Sequence, residues 1–573
     1  MKSLSLFVTA LLVLSCSVPS DGVHTLHVLT TNDTHGAWFD STYVDGNVRN
    51  NIFAVYHYVD SIRNEFGEDN VLLIDGGDCL QGDNAPYYYN YVAVGEPHLF
   101  PRIAEYMGYD VVCVGNHDIE TGHDVFDRLN RELKSAGVAF LGANAVEQAT
   151  GKPYFAEYKV FKKAGLKVLV IGFTNPNIPA WLDEEVWSGL EFESLLPYAQ
   201  DVVDRATKKE KPDVVIVAAH SGTGDGDGGQ LENQGLDLFH SLRGVDYLIC
   251  AHDHSPYSAE TDSIIMSNAG SKSAYLGHAE ISLNVEGGKM LSKESSVSLI
   301  RVDRKLADSR MRDYFYPEYL KVKAFTLQEV GSLDRDLYTR DAYKGMCDYM
   351  NLIHTVQLSV PEAGLSFAAP LTYNGTIHSG TLLYNDMFTI YPYENQLFVL
   401  ALTGSEIKSV LEYSYDGWIQ NGSEHILKIE NTDDVRTGQT RWSFSGRTYN
   451  FDSCAGINYS VDVTKPYGER ISILSLADGS AFEPDSMYNV AMTSYRASGG
   501  GGHITQGAGL SDEEISERTV AKYPEIREMI YRYFKAESPV CADKFGDRTV
   551  LGSWSFVPES ATERIGSDFG LLF

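Results

Sequence analysis

The first half of this chain alternates short, unbroken apolar runs with amphipathic stretches, and five of the apolar runs lead directly into segments that carry aspartate, asparagine or histidine. The runs fall at 26–30, 71–75, 111–114, 138–141, 168–173, 214–219, 247–251 and 264–266. Stretches of helical periodicity lie between them, at 51–66 and 123–135. A strand that is apolar on both faces must be covered on both faces, and helices between strands supply the cover. The pattern predicts an α/β sandwich of packed sheets flanked by helices, ending near residue 300. Segment 303–325 is charged and compatible with a helix, and 303–330 is read as a connector. A smaller α+β domain is expected over 331–540, from strand patterns at 398–402, 457–463 and 487–492 and helix patterns at 404–413 and 523–536. The remaining 541–573 reads as a tail. At 573 residues the chain is too long for one core, which agrees with two domains.

In such folds, functional groups collect on loops at the carboxyl ends of strands. Five segments in that position carry metal-capable side chains. They are Asp33-Thr34-His35, Asp75-Gly76-Gly77-Asp78, Gly115-Asn116-His117-Asp118, His220 and His252-Asp253-His254. Two hard or borderline cations a few ångström apart need a bridging carboxylate, terminal His, Asp or Asn ligands, and open positions. Asp78 suits the bridge, with Gly76 and Gly77 allowing a tight turn. Asp33 and His35, and again His252 and His254, stand at i, i+2, so an extended segment shows both to one side. Taken singly, each pair is an ordinary surface or capping feature. Five together, each after a strand, point to a metal centre.

Lys2 precedes an apolar stretch over 4–14 and then Ser15-Cys16. The stretch is too short to span a bilayer and reads as an export signal over 1–22. Val13-Leu14-Ser15-Cys16 resembles a bacterial lipobox, with Cys16 as the lipidated residue and membrane attachment through it. The expected location is therefore outside the cytoplasm, in the periplasm or as an outer-membrane lipoprotein. A formal charge of −32 argues against a nucleic-acid duplex as partner. An anionic substrate would then need bound metal for local positive charge. The seven cysteines show no zinc-module or disulfide spacing.

The motifs Thr31-Asn32-Asp33-Thr34-His35-Gly36, Asp75-Gly76-Gly77-Asp78, Gly115-Asn116-His117-Asp118, Ala219-His220-Ser221 and Ala251-His252-Asp253-His254 resemble those of calcineurin-like metallophosphoesterases, within the 5′-nucleotidase superfamily of exported bacterial enzymes. The resemblance runs on to about residue 536. It implies two divalent metal ions, with Zn, Mn, Fe, Co and Mg all compatible with the ligand types. One would take Asp33, His35, Asp78 and His254, the other Asp78, Asn116, His220 and His252. His117 would donate to the phosphoryl oxygen or the leaving group. Glu120, where many relatives have a shorter acid, would orient it.

In the second domain, Ser494 to His503 resembles the family's substrate loop. Tyr495 stands where an aromatic ring covers a nucleobase, followed by Gly499, Gly500 and Gly501, and Phe451 is the expected opposite wall. Gly501 replaces an aspartate that contacts ribose in typical 5′-nucleotidases, and the stretch 366–376 lacks their phosphate-side arginines. The segments 352–357, 390–395 and 495–497 resemble the branch acting as 2′,3′-cyclic-nucleotide 2′-phosphodiesterase and 3′-nucleotidase. A cyclic phosphate occupies the ribose hydroxyls, so that aspartate is not needed. The resemblance implies a nucleotide as small-molecule substrate. The alternatives are a 5′-nucleotidase or UDP-sugar hydrolase, and a lipoprotein that binds nucleotides without turnover.

Overall fold

The computed structural model describes residues 19–421, 424–434 and 439–573. Most of the expected export signal, Cys16 included, lies outside the described residues. Twelve strands build the two main sheets of the first domain: β1 (Gly22–Thr31), β2 (Val71–Asp75), β3 (Val111–Cys113), β4 (Ala139–Leu141), β5 (Tyr158–Lys163), β6 (Leu166–Phe173), β7 (Val214–Ala219), β8 (Tyr247–Cys250), β9 (Tyr257–Glu260), β10 (Ile265–Asn268), β11 (Tyr275–Glu286) and β12 (Lys289–Arg301). They form two six-stranded sheets, ordered β12-β11-β1-β2-β3-β4 and β9-β10-β8-β7-β6-β5. Strands β1 to β4 are parallel, as are β6, β7, β8 and β10, and the remaining strands are antiparallel.

Leu26, Val28, Leu72 and Ile74 of the first sheet meet Val168, Val170, Val214 and Ile216 of the second in one buried layer. The outer face of the first sheet is covered by α1 (Ile52–Phe66), α2 (Leu99–Met107) and α4 (His123–Ser135). The short α3 (Asn116–Glu120) follows β3. The second sheet is covered by α5 (Leu195–Glu210). Burying both faces of both sheets is what turns the central strands into continuous apolar runs.

Buried His98 caps α2. Its Nδ1 accepts from the Phe100 N–H at 3.2 Å while its Nε2–H donates to Asn90 Oδ1 at 3.1 Å, so both ring nitrogens are committed to the neutral form. Burial, aided by Arg128, pushes its pKa down to about 3. The folded state therefore binds fewer protons than the unfolded chain below pH about 6.5, and stability falls as pH falls toward 3. At pH 5 this one group costs about 2 kcal/mol, at 1.36 kcal/mol per pH unit. We expect His98→Asn, which keeps a capping side chain, to lose less melting temperature between pH 7.5 and 5 than the wild type. Equal losses would contradict this reading of His98.

The connector contains α6 (Ser309–Thr326), which carries Pro317 in its interior. It packs into the first domain through Met311, Phe315 and Val322, while Phe325 enters the core of the second. The second domain is built on a five-stranded sheet of β13 (Leu365–Ala368), β14 (Gln396–Thr403), β15 (Ser453–Ala455), β18 (Met487–Thr493) and β19 (Thr519–Glu525). A three-stranded sheet joins β16 (Ile457–Asp462) to β17 (Ile471–Leu476) and β20 (Gly552–Val557). Helices α7 (Asp348–Gln357), α8 (Gly404–Trp418), α9 (Ile526–Glu537) and α10 (Ser560–Leu572) complete it.

Two expectations are corrected here. Residues 541–573 are not a tail: β20 pairs in parallel with β16, and Trp554, Phe556, Ala561 and Ile565 are buried in the second core. Their alternating apolar pattern buries one face of the strand. Tyr523 to Glu525 belong to β19, so α9 starts later than its periodicity implied. Among the described residues, no helix is long and apolar enough to cross a membrane.

Candidate metal centre and substrate face

Strands β1, β2, β3, β7 and β8 all end at one edge of the sandwich, and their following loops converge. Asp33, His35, Asp78, His252 and His254 adopt positive φ, between 46° and 73°. Side chains other than glycine rarely adopt this conformation, and it persists where surrounding structure over-determines it. Here the main chain supplies the hold. Asp33 N–H donates to Gly77 O at 2.9 Å and His35 N–H to Asp78 O at 3.1 Å. The Asp118 carboxylate accepts from the N–H groups of Asp78, Cys79, Leu80 and Gly115 at 2.9–3.2 Å, which locks the Asp78 turn to the start of α3. At Gly115 a Cβ would collide with the Asp78 carboxylate, so only glycine allows this approach.

Two clusters result, each with ligand atoms within 4.8 Å of one another: Asp33, His35 and His254, and Asp78, His220 and His252. His35 Nε2 and His254 Nε2 stand 2.8 Å apart. Asn116 Oδ1 lies 3.1 Å from His220 Nε2 and 3.0 Å from His252 Nδ1. Ring orientation is fixed from behind, because His35 Nδ1–H donates to Gln81 O at 3.1 Å and His220 Nδ1–H to Gly76 O at 2.8 Å. Both therefore turn Nε2 into the site, the arrangement expected of metal-binding imidazoles. His254 is 44% exposed at its side chain and marks the open side.

The donor set fits cations. Asp78 Oδ2 is buried with no hydrogen-bond partner, although His220 Nε2 approaches to 3.1 Å. An orphaned carboxylate oxygen among imidazole nitrogens is costly unless positive charge occupies the space. Burial would raise the Asp78 pKa, but His220 and His117 hold it well below the carboxylate range. Burial, reinforced by neighbouring histidines, keeps His35 well below its usual value; His254, more exposed, is lowered by its desolvated inner edge and by His252 and His117, so both are neutral with lone pairs available.

His117 N–H donates to Asp78 Oδ1 at 2.8 Å, and its ring Nδ1 meets Glu120 Oε2 at 2.5 Å. Burial opposes its protonation, but the Asp78 and Glu120 carboxylates prevail and raise its pKa to about 9. The extra methylene of Glu120 therefore does not prevent the pair from forming.

The second domain presents Tyr495 close to this edge. Tyr495 and Tyr449, both half-buried, lie near each other and near Glu232 of the first domain. Glu232 lies 3.7 Å from His252 Nε2. The expected second wall, Phe451, is elsewhere: it is 1% exposed and stacks on Trp418 at 5.5 Å inside the core. Tyr449, two residues earlier and half-buried near Tyr393, is the aromatic of this turn that remains accessible. The glycine run is a packed turn. Gly499 and Gly501 have φ of 95° and 71°, Gly500 lies against the Tyr495 ring, and a Cβ at Gly501 would strike Arg496 and Asn450. Arg496 is itself buried, clamped to Asp452 at 2.6 Å.

Sequence reasoning missed Glu232, the backing role of Asp118, and Trp181, which stacks on His252 at 5.1 Å. The Asp118 role was accessible from its place in the Gly115–Asp118 motif. Glu232 and Trp181 stand in loops without periodicity or motif and gave no signal.

Fold and centre together define a calcineurin-like phosphoesterase domain joined to a second α+β domain, and comparison with known proteins agrees. The family description "Calcineurin-like phosphoesterase" matches residues 26–256, and "5'-nucleotidase, C-terminal domain" matches 324–507. The chain belongs to the 5′-nucleotidase family of metallophosphoesterases. It is 24% identical to the trifunctional nucleotide phosphoesterase protein YfkN of Bacillus subtilis, over 98% of this chain but only 41% of that longer protein. It is 23% identical to the 2′,3′-cyclic-nucleotide 2′-phosphodiesterase/3′-nucleotidase of Haemophilus influenzae, over 95% of this chain and 89% of that one. A 5′-nucleotidase of Vibrio cholerae is 22% identical, over 92% and 93%. In fold, the chain is similar to a putative 5′-nucleotidase from Staphylococcus aureus, with a TM-score of 0.75 at 20% identity, covering 93% of this chain and 99% of that one.

Proposed function

We propose that this protein is an exported, metal-dependent nucleotide phosphohydrolase that favours 2′,3′-cyclic nucleotides and 3′-nucleotides and releases nucleoside and phosphate. The observation that supports the reading is the pair of neighbouring clusters, Asp33, His35 and His254 beside Asp78, His220 and His252, with Asn116 Oδ1 against the last two histidines and Asp78 Oδ2 buried without a hydrogen-bond partner. Asp33, His35, Asp78 and His254 would hold one divalent ion, and Asp78, Asn116, His220 and His252 the other. Such ions supply Lewis-acid stabilisation of phosphoryl oxygens and a nucleophilic water at neutral pH.

The chain's own groups do the rest. His117, protonated and oriented by Glu120, offers its remaining ring N–H to the phosphoryl or leaving oxygen. Tyr495 and Tyr449 offer aromatic faces to a base, and stacking of this kind supplies about 1–3 kcal/mol per base with little base preference. The preference for cyclic and 3′ esters rests on Gly501. With glycine at this left-handed position (φ 71°), no carboxylate there faces the ribose hydroxyls or a phosphate bridging them. Export rests on the apolar stretch before Cys16.

The test is phosphate release from 2′,3′-cyclic AMP, 3′-AMP and 5′-AMP, assayed side by side on metal-loaded protein. We expect kcat/KM for the first two to exceed that for 5′-AMP at least about tenfold, a 1.4 kcal/mol difference. Preference for 5′-AMP would move the assignment to the 5′-nucleotidase reading. No turnover of any of the three would refute both. Tyr495→Ala should raise KM about tenfold or more with kcat little changed, the behaviour of a uniform binding contact.

A further inference from the structure

A second group of ligand-capable side chains lies on the sandwich, apart from the centre described above. His27 on β1 stands directly opposite Glu280 on β11, and His278 is two residues from Glu280 on the same face. His27 Nδ1 and His278 Nε2 face each other at 3.1 Å. One ligand atom from each of the three residues lies within 4.8 Å of the others. On the other side of β11, the residues opposite Glu280 and His278 are the small Ser296 and Ser298. Phe66, the last residue of α1, stacks on the His27 ring at 3.9 Å and fixes its plane.

From this geometry we infer a further metal site, formed by His27, His278 and Glu280, for a borderline divalent transition ion of the zinc class. Two imidazoles and one carboxylate without thiolate suit such an ion, and three protein ligands leave an open position. Two nitrogens bound to one tetrahedral zinc, each at about 2.0–2.1 Å, stand roughly 3.3 Å apart. The observed 3.1 Å is close to this, and the facing nitrogens of His35 and His254 in the catalytic cluster are closer still, at 2.8 Å. Burial lowers the pKa of both His27 and His278, so neither must shed a proton to bind at neutral pH. An ion here would tie β1 to β11, outside the loops that carry Asp33 and His35. The rival account is a plain hydrogen bond between two neutral histidines.

The experiment counts zinc. The full mature chain is stripped with chelator, reloaded with zinc, freed of excess by gel filtration, and its bound ions are counted by native mass spectrometry. His278→Ala and Glu280→Gln are treated alike. We expect each variant to carry one zinc fewer than the wild type, with turnover unchanged. A zinc-edge anomalous map of wild-type crystals should show a peak between His27 and His278. Equal zinc counts in wild type and both variants, or no anomalous peak there, would overturn the site. Because the readout is a difference between chains with intact catalytic ligands, its failure is distinguishable from failure of the catalytic assignment.

Discussion

Replacing Asp78 by alanine is expected to lower kcat by about 10³-fold or more while the sandwich still folds. The carboxylate groups with His220 and His252, its Oδ2 is buried with no hydrogen-bond partner although His220 Nε2 lies at 3.1 Å, and in the proposed mechanism it bridges both ions. Loss of several kcal/mol of transition-state stabilisation corresponds to a factor of that size, at 1.36 kcal/mol per tenfold. Asp78→Asn is the control for folding, because it keeps the acceptor that the His117 N–H uses at 2.8 Å. Both variants should bind less metal, measured by mass spectrometry alongside phosphate release. Wild-type-like turnover in a metal-loaded Asp78→Ala protein would remove Asp78 from the mechanism.

The second large effect is expected at Arg527, where the two domains meet. Arg527 is buried, donates to Glu394 Oε1 at 3.0 Å, lies 3.8 Å from Glu525, and packs against the rings of Phe388 and, from the first domain, Tyr87, at 4.3 and 4.9 Å from their centroids. Tyr91 of the first domain donates to the other Glu394 oxygen at 3.4 Å. Burial raises the pKa of both acids. Arg527 opposes that rise in each, and Glu120 adds to it. Arg527→Met would leave these carboxylates buried without their cation. Breaking a buried pair in this way costs about 3–5 kcal/mol. For a domain of this size that is a fall of about 10 °C in melting temperature. Adding Glu394→Gln to Arg527→Met should recover much of the loss, because it removes a stranded charge. Because Glu120 shares this cluster and pairs with His117, kcat should fall in the single variant as well. A single variant as stable and active as wild type would show the cluster to be idle.

Sequence and structure agree best where burial is complete. Strands β2, β3, β7 and β8 are buried along their length, so their apolar runs stood out and their ends located the ligands. Edge strand β5 alternates half-exposed residues with exposed Lys159 and Lys162, and β12 is largely exposed, so neither produced an apolar run. The metal ligands were legible because each follows a buried strand. Phe451 was misread because Tyr449 and Phe451 sit within one short turn, and sequence does not tell which ring faces the core. The structure buries Phe451 against Trp418 and leaves Tyr449 half-buried. The segment after residue 541 was misread because its partner strand, β16, lies about a hundred residues earlier, a pairing that no local pattern records.

The most direct test of the central claim is metal stripping and add-back. The mature protein is dialysed against chelator and assayed on 3′-AMP. It is then reloaded with manganese or zinc, while bound ions are counted in wild type and in His278→Ala to separate the two metal sites. The account predicts that turnover vanishes on stripping and returns as two ions per chain occupy the catalytic ligands. Full turnover in protein shown to be metal-free would contradict it.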